Sequence, residues 1–318
     1  MNVLNTILNT TKNTTLNKTS SITLASRFQR LPLTEMLLLL VAIFWGTSYG
    51  LTKEALIFTS VLLFIAIRFS LTSLCMAPIV FKEYREGKNK DWKIAIPSGV
   101  ILSAIFLCEV YGISQTSASN AAFLISLSVI FTAFFESLIN RTKIPPPLLM
   151  LAVISIVGVY CLTNSGQSTL TLNAGDYFIL SAAILRAVMV TVTKRLSEAK
   201  EITTSTLTAI QSFIVAISAL TLCFITQPFE AITLPTNSHF WLIMGYLVLC
   251  CTLFAFYIQN YAVRKISPTK VSLLMGSEPL FGALFAVVWL NESLTLLQMI
   301  GGALILVSVL IASIKVGK

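Results

Sequence analysis

The ionisable side chains inside long apolar stretches of this sequence include Arg68, Glu109, Glu136, Arg186 and Glu278. A charge at the centre of a bilayer costs at least ~2.5–3.5 kcal/mol, so each must face a partner, water or the inside of a helix bundle. Arg186 and Glu278 each lie ten residues into a predicted span, entered from opposite ends. At 1.5 Å rise per residue both are about 15 Å deep, near the midplane. Matched depth and opposite sign leave two readings: the residues pair across a cavity, or Arg186 offers its planar fork to an anionic group of a bound solute. Glu278 precedes Pro279, with Gly276 and Gly282 on either side. Proline removes a backbone hydrogen bond and kinks its helix. In a membrane, freed backbone groups are tolerated only inside protein or along a water-filled path. A helix break beside an acid is therefore a candidate binding or proton site.

Arg68 and Glu109 both lie toward the same outer end of their spans, and a structural ion pair between them is expected. Glu136 lies near a span end within reach of Arg141, which predicts an interfacial position. Trp45, Tyr49, Tyr111 and Tyr257 each offer an apolar face and one polar contact, suited to a cavity wall. Asn120, Gln211, Gln259 and Asn260 can supply hydrogen bonds. His239 is the single histidine and the six cysteines form no CxxC pair. No metal site, cofactor or disulfide is expected.

The elements that position these residues follow from composition. The chain has 318 residues, 56% hydrophobic and 11% charged, with a mean hydropathy of +0.85. Soluble chains carry about 25% charged residues. This composition excludes a soluble enzyme, a disordered protein and a nucleic-acid-binding domain. Ten apolar stretches are long enough to span a bilayer: 36–56, 60–81, 94–114, 118–139, 148–164, 176–193, 205–225, 239–260, 268–290 and 294–314. Residues 1–34 are polar and basic, and are expected to form a disordered cytoplasmic tail.

The net charge of +9 is read as a topology signal. With the N-terminus in the cytoplasm, 19 of the 22 Lys and Arg fall inside: four in the tail, five over 82–93, Arg141 and Lys143, three over 194–200, three over 264–270, and Lys315 and Lys318. Lys53 alone is outside. This alternation predicts both termini in the cytoplasm of a cell (inner) membrane.

The sequence also repeats. At a shift of 150 residues Tyr111 falls on Tyr261, Leu124 on Leu274, Phe131 on Phe281 and Phe135 on Phe285. At a shift of 141, Thr52-Lys53 falls on Thr193-Lys194 and Trp45 falls on Arg186. Five spans per unit is odd, so the second unit enters from the opposite face. Inverted repeats of this kind build secondary transporters around a midplane site. The units are 35–164 and 175–315.

Several motifs resemble a known family. The first span reads Trp45-Gly46-Thr47-Ser48 and the second carries Arg68-Phe69. A Tyr111–Ala122 connection follows, then Glu278-Pro279-Leu280-Phe281, an Asn291-Glu292-Ser293-Leu294-Thr295 turn, and Gly301-Gly302. Together they resemble an EamA-type member of the drug/metabolite transporter superfamily, over nearly all of residues 35–315. The resemblance implies ten transmembrane helices in two inverted five-helix units around a central cavity. It also implies export or exchange of small metabolites, such as amino acids, without ATP. No phosphate-binding loop is present. Family members often carry an aromatic midway along the sixth helix, where this chain has Arg186.

The expectation is an all-α polytopic secondary transporter of a small polar metabolite working by alternating access, with a coupling proton or ion if one is used. A passive pore or a membrane-embedded enzyme is the alternative; the latter lacks a catalytic cluster. Gly46 and Gly50 form a GxxxG motif, which serves packing within the bundle or between two copies.

Overall fold

A computed structural model describes residues 33–116, 118–141, 143–163, 173–228, 232–290 and 295–315. The tail through residue 32, the Asn291–Leu294 turn and the side chain of Asn120 lie outside the described residues.

The described chain is helical throughout. We number its passages α1 (Leu33–Ala55), α2 (Val61–Arg85), α3 (Ala95–Gln115), α4 (Ala118–Ser126 and Ser128–Ile139), α5 (Pro146–Thr163), α6 (Ala174–Ser197), α7 (Thr204–Thr226), α8 (Ser238–Tyr246 to Ala255–Lys265), α9 (Pro268–Met275 and Glu278–Leu290) and α10 (Leu296–Lys315). Side chains at the starts fix the boundaries by satisfying free amides. Ser60 accepts from Leu63, Thr203 from Thr206 and Ser267 from Lys270. Asn173 and Asp176 form a reciprocal capping box at the start of α6.

Seven of these passages are long and apolar enough to cross a membrane, from α1 to α4 and α6 to α8. The apolar parts of α5 and α10 are shorter, Pro146–Leu162 and Leu296–Ala312, and α9 is broken in two. The outer surface is apolar: Ile225, Leu242 and Leu138 are largely exposed. With the family described below, this makes the chain a multi-pass membrane protein.

Packing between the two halves is symmetrical. α2 lies along α7 and α5 along α10, while α1 packs on α8 and α9 as α6 packs on α3 and α4. Close crossings need glycine. A Cβ on Gly158 would sit 2.8 Å from the Gly301 carbonyl, where α5 crosses α10, and one on Gly46 would sit 2.6 Å from the Glu278 carbonyl. Gly50, the other end of the GxxxG motif, faces open space.

Three departures from regular helix are unequally legible in the sequence. The break in α9 was expected from Pro279. The break in α4 was not, yet it falls at Leu127, which a shift of 150 places on Ser277. The two halves are thus interrupted at equivalent points. In α8, Leu247–Phe254 widens to a π-helix, which no residue announces. Such turns concentrate at functional sites because they free backbone groups.

Candidate functional site

The two helix breaks converge on one buried ion pair. Arg186 Nη2 donates to Glu278 Oε1 at 2.8 Å, with side chains 10% and 3% exposed. Tyr49 Oη donates to the other oxygen, Oε2, at 2.7 Å. The Arg186 guanidinium lies over the Trp45 ring, 4.3 Å from its centre. Trp45 is fixed in turn, since its Nε1 donates to the Cys251 carbonyl at 2.8 Å, within the π-helix of α8. Trp45 and Arg186 are equivalent positions of the two repeats. Equivalent residues can touch only near the axis that relates the halves, so this contact marks the centre of the molecule.

A cavity opens on one side of the pair. Trp45, Ser48, Tyr49 and Thr52 of α1 line it, with Arg68, Phe106, Glu109, Ile113, Met189 and Phe256. Its free space is about 20 Å³, room for one or two waters. A smaller void of about 10 Å³ lies on the other side, between the breaks, lined by Ser126, Ser128, Ser272, Gly276 and Pro279. Arg186 and Glu278 line both spaces, so the ion pair borders each of them.

Arg68 is buried and donates through Nε to Thr252 Oγ1 at 2.6 Å, with its guanidinium 5.3 Å over Phe106. Thr252 is held by its own bond to the Leu247 carbonyl in the π-helix. The expected Arg68–Glu109 ion pair is not formed: both line the cavity, but no N···O approach within 4.0 Å joins them. The π-helix supplies Arg68 with a neutral partner instead.

The two ends of the bundle are closed differently. Where α1 begins, Lys270 Nζ donates to Glu35 Oε1 at 2.7 Å, with both side chains at most 3% exposed. Beside them Glu136 Oε2 accepts from the Thr269 amide and hydroxyl at 2.7 and 2.5 Å. Glu136 is therefore buried against the start of α9, where the free amides of that helix end draw it inward. Where α1 ends, Lys53 donates to the Thr116 carbonyl at 3.0 Å, and Glu54 meets His239 at 2.7 Å in a half-exposed pair. The larger cavity lies toward this second end, since Ser48, Thr52 and Ile113 are its walls.

Comparison with known proteins assigns this architecture. The pattern of the EamA-like transporter family matches residues 32–164 and again residues 173–314. The chain belongs to the EamA-like transporter family. An uncharacterized transporter of Archaeoglobus fulgidus is 27% identical over 288 residues, covering 88% of this chain and 85% of its own. A WAT1-related chloroplast protein of Arabidopsis thaliana is 23% identical, covering 86% of this chain and 68% of its own. A protein of solved crystal structure shares the fold, with a TM-score of 0.73 at 15% identity, over 88% of this chain and 96% of that one.

Within this EamA-like chain, the sequence-predicted residues divide. Arg186, Glu278, Trp45 and Tyr49 meet at the centre, and Pro279, Gly276 and Gly282 form or abut the break beside them. Tyr257 instead points outward, 36% exposed, since Phe256 next to it takes the inward face. Tyr111 packs at a tilt against Phe178, ring centres 6.4 Å apart, and is not among the cavity walls. Gln211 and Asn260 bond each other at 2.7 Å and tie to Ser98 and Thr208, a network that joins helices. Gln259 is buried with its amide unpaired among the described residues. The sequence reading missed Phe106, Phe256, Thr252 and the Glu35–Lys270 pair. Lys270 contributes to the cytoplasmic charge pattern, yet its place two residues inside a span signals burial.

The close approach of α1 to α9 gives a direct prediction. Gly46→Ala is expected to push Glu278 off its partners, lowering stability by about 1–3 kcal/mol and abolishing transport. Gly50→Ala is expected to change neither by more than a factor of two. Thermal unfolding in detergent, with uptake into vesicles, checks both.

Proposed function

We propose that this EamA-like transporter is a secondary carrier of a small polar metabolite, such as an amino acid, working by alternating access. Ten membrane spans arranged as two inverted units, 35–164 and 175–315, rock around the Arg186–Glu278 pair. Both termini lie in the cytoplasm of a cell (inner) membrane, as the distribution of Lys and Arg supports. In this orientation the larger cavity faces outward and the Glu35–Lys270 pair seals the cytoplasmic end.

One observation carries the reading. The same ion pair lines the spaces on both of its sides, and neither space holds more than one or two waters. A solute must part the pair, or the helices that carry it, to pass. A carrier needs such a partition; an open pore does not. Equivalent breaks in α4 and α9 support the same view, because interrupted helices in matching positions of two repeats mark transporter sites.

The experiment is counterflow. Vesicles holding the purified protein, preloaded with unlabelled amino acids, are expected to accumulate labelled substrate transiently, with saturation. Single-channel currents, or linear flux without counterflow, would replace the carrier by a pore. Tags on the two ends, digested from the outside of intact cells, are expected to be protected alike.

A further inference from the structure

The cavity walls hold two Arg and two Glu. Arg186 and Glu278 satisfy each other, and Tyr49 occupies the second oxygen of the acid. Arg68 and Glu109 are not satisfied. Arg68 is only 4% exposed, yet among the described residues its one hydrogen bond is from Nε to Thr252. A guanidinium has five N–H donors, so four remain for another acceptor. Glu109 has no ion-pair or hydrogen-bond partner among the described residues. It lies one helical turn from Phe106, the ring that Arg68 covers, and both charges line the same cavity.

Buried charges are retained in membranes only where something neutralises them or where they act. The two residues share a cavity and leave each other unpaired. We infer that Arg68 and Glu109 are the charge-recognising residues of the substrate site, and that the substrate is a dipolar ion with its anionic and cationic groups close together. Arg68 takes the carboxylate or equivalent anion through its open fork, and Glu109 takes the ammonium. Phe106 and Phe256 supply apolar wall, and Arg186 and Glu278 stay paired to each other as the floor. This rests on the carrier reading above and deepens it, moving the anion site from Arg186 to Arg68.

The test is binding to purified protein in detergent, read as a thermal shift across titrations of the twenty amino acids. For each one that stabilises, its methyl ester (cation only) and its N-acetyl derivative (anion only) are titrated too. At least one free amino acid is expected to bind, with both blocked forms about 10- to 100-fold weaker, the worth of one charge-assisted hydrogen bond. In Arg68→Gln the free acid and its ester are expected to bind alike. In Glu109→Gln the free acid and its N-acetyl form are expected to bind alike. Glu109→Gln is near-isosteric and keeps the fold testable if Arg68→Gln does not. No binding by any amino acid, or blocked forms as tight as the free acid, would overturn the proposal. So would unchanged selectivity in Glu109→Gln. Binding that obeys these rules, with no counterflow of the same ligand, would leave this site standing and remove the carrier reading.

Discussion

Arg186→Met is expected to lose about 3–5 kcal/mol of stability, the usual cost of stripping one member from a buried ion pair. Glu278 would keep the Tyr49 hydroxyl but lose its cation, in a space with room for no more than one or two waters. Transport is expected to vanish with it. Stability and function part company in the double replacement. Arg186→Met with Glu278→Gln leaves no uncompensated charge, and apolar or neutral groups of similar volume often restore or exceed the stability of a buried pair. Its unfolding temperature is therefore expected to return close to that of the parent chain while counterflow stays absent. A double variant that transported normally would remove the pair from the mechanism and leave it a packing device.

Lys270→Met is expected to act on the conformational balance instead. Glu35 already has one oxygen without a partner, so losing Lys270 would strand a whole buried carboxylate. The least costly relief is to open the end of the bundle where α1 begins and let water reach it. At about 3 kcal/mol the balance between closed and open states would move by roughly 100-fold. Ser272 reports on this, since it lines the small void between the helix breaks and is buried. With the six native cysteines replaced, Ser272→Cys is expected to react with a water-soluble maleimide at least tenfold faster in the Lys270→Met background. Adding Glu35→Gln is expected to return the rate to its starting value. Equal rates with and without Lys270 would mean that the pair holds no gate.

The sequence carries the centre of this site because its signals there are of two independent kinds. Arg186 and Glu278 are conspicuous as charges in apolar helices, and Pro279 is conspicuous as a helix breaker. Trp45 stands out as an amphipathic ring suited to a cavity wall, and the repeat register places it at the position equivalent to Arg186. What stayed hidden depends on helix rotation. Tyr257 and Phe256 are neighbours in a helix that is apolar all round, and nothing in the residue types says which faces the cavity. Turning by one residue exchanged them. The π-helix of α8 hides for a related reason: a one-residue widening leaves composition unchanged, yet it frees the Cys251 carbonyl for Trp45 and orients Thr252 toward Arg68. That second contact is why the expected Arg68–Glu109 pairing fails. The break in α4 has no proline, and only comparison with α9 across 150 residues gives it away.

At the meeting point of the halves, Trp45 stands opposite Arg186, and Ser128 occupies in α4 the place that Glu278 holds in α9. Both charges have collected in the second unit. A device made of two interchangeable parts would greet its cargo identically from either face. Here the copies have diverged where it counts, so half-saturation should differ between the two sides of the membrane. Which way net flow runs still belongs to the gradients alone, whatever the difference in grip.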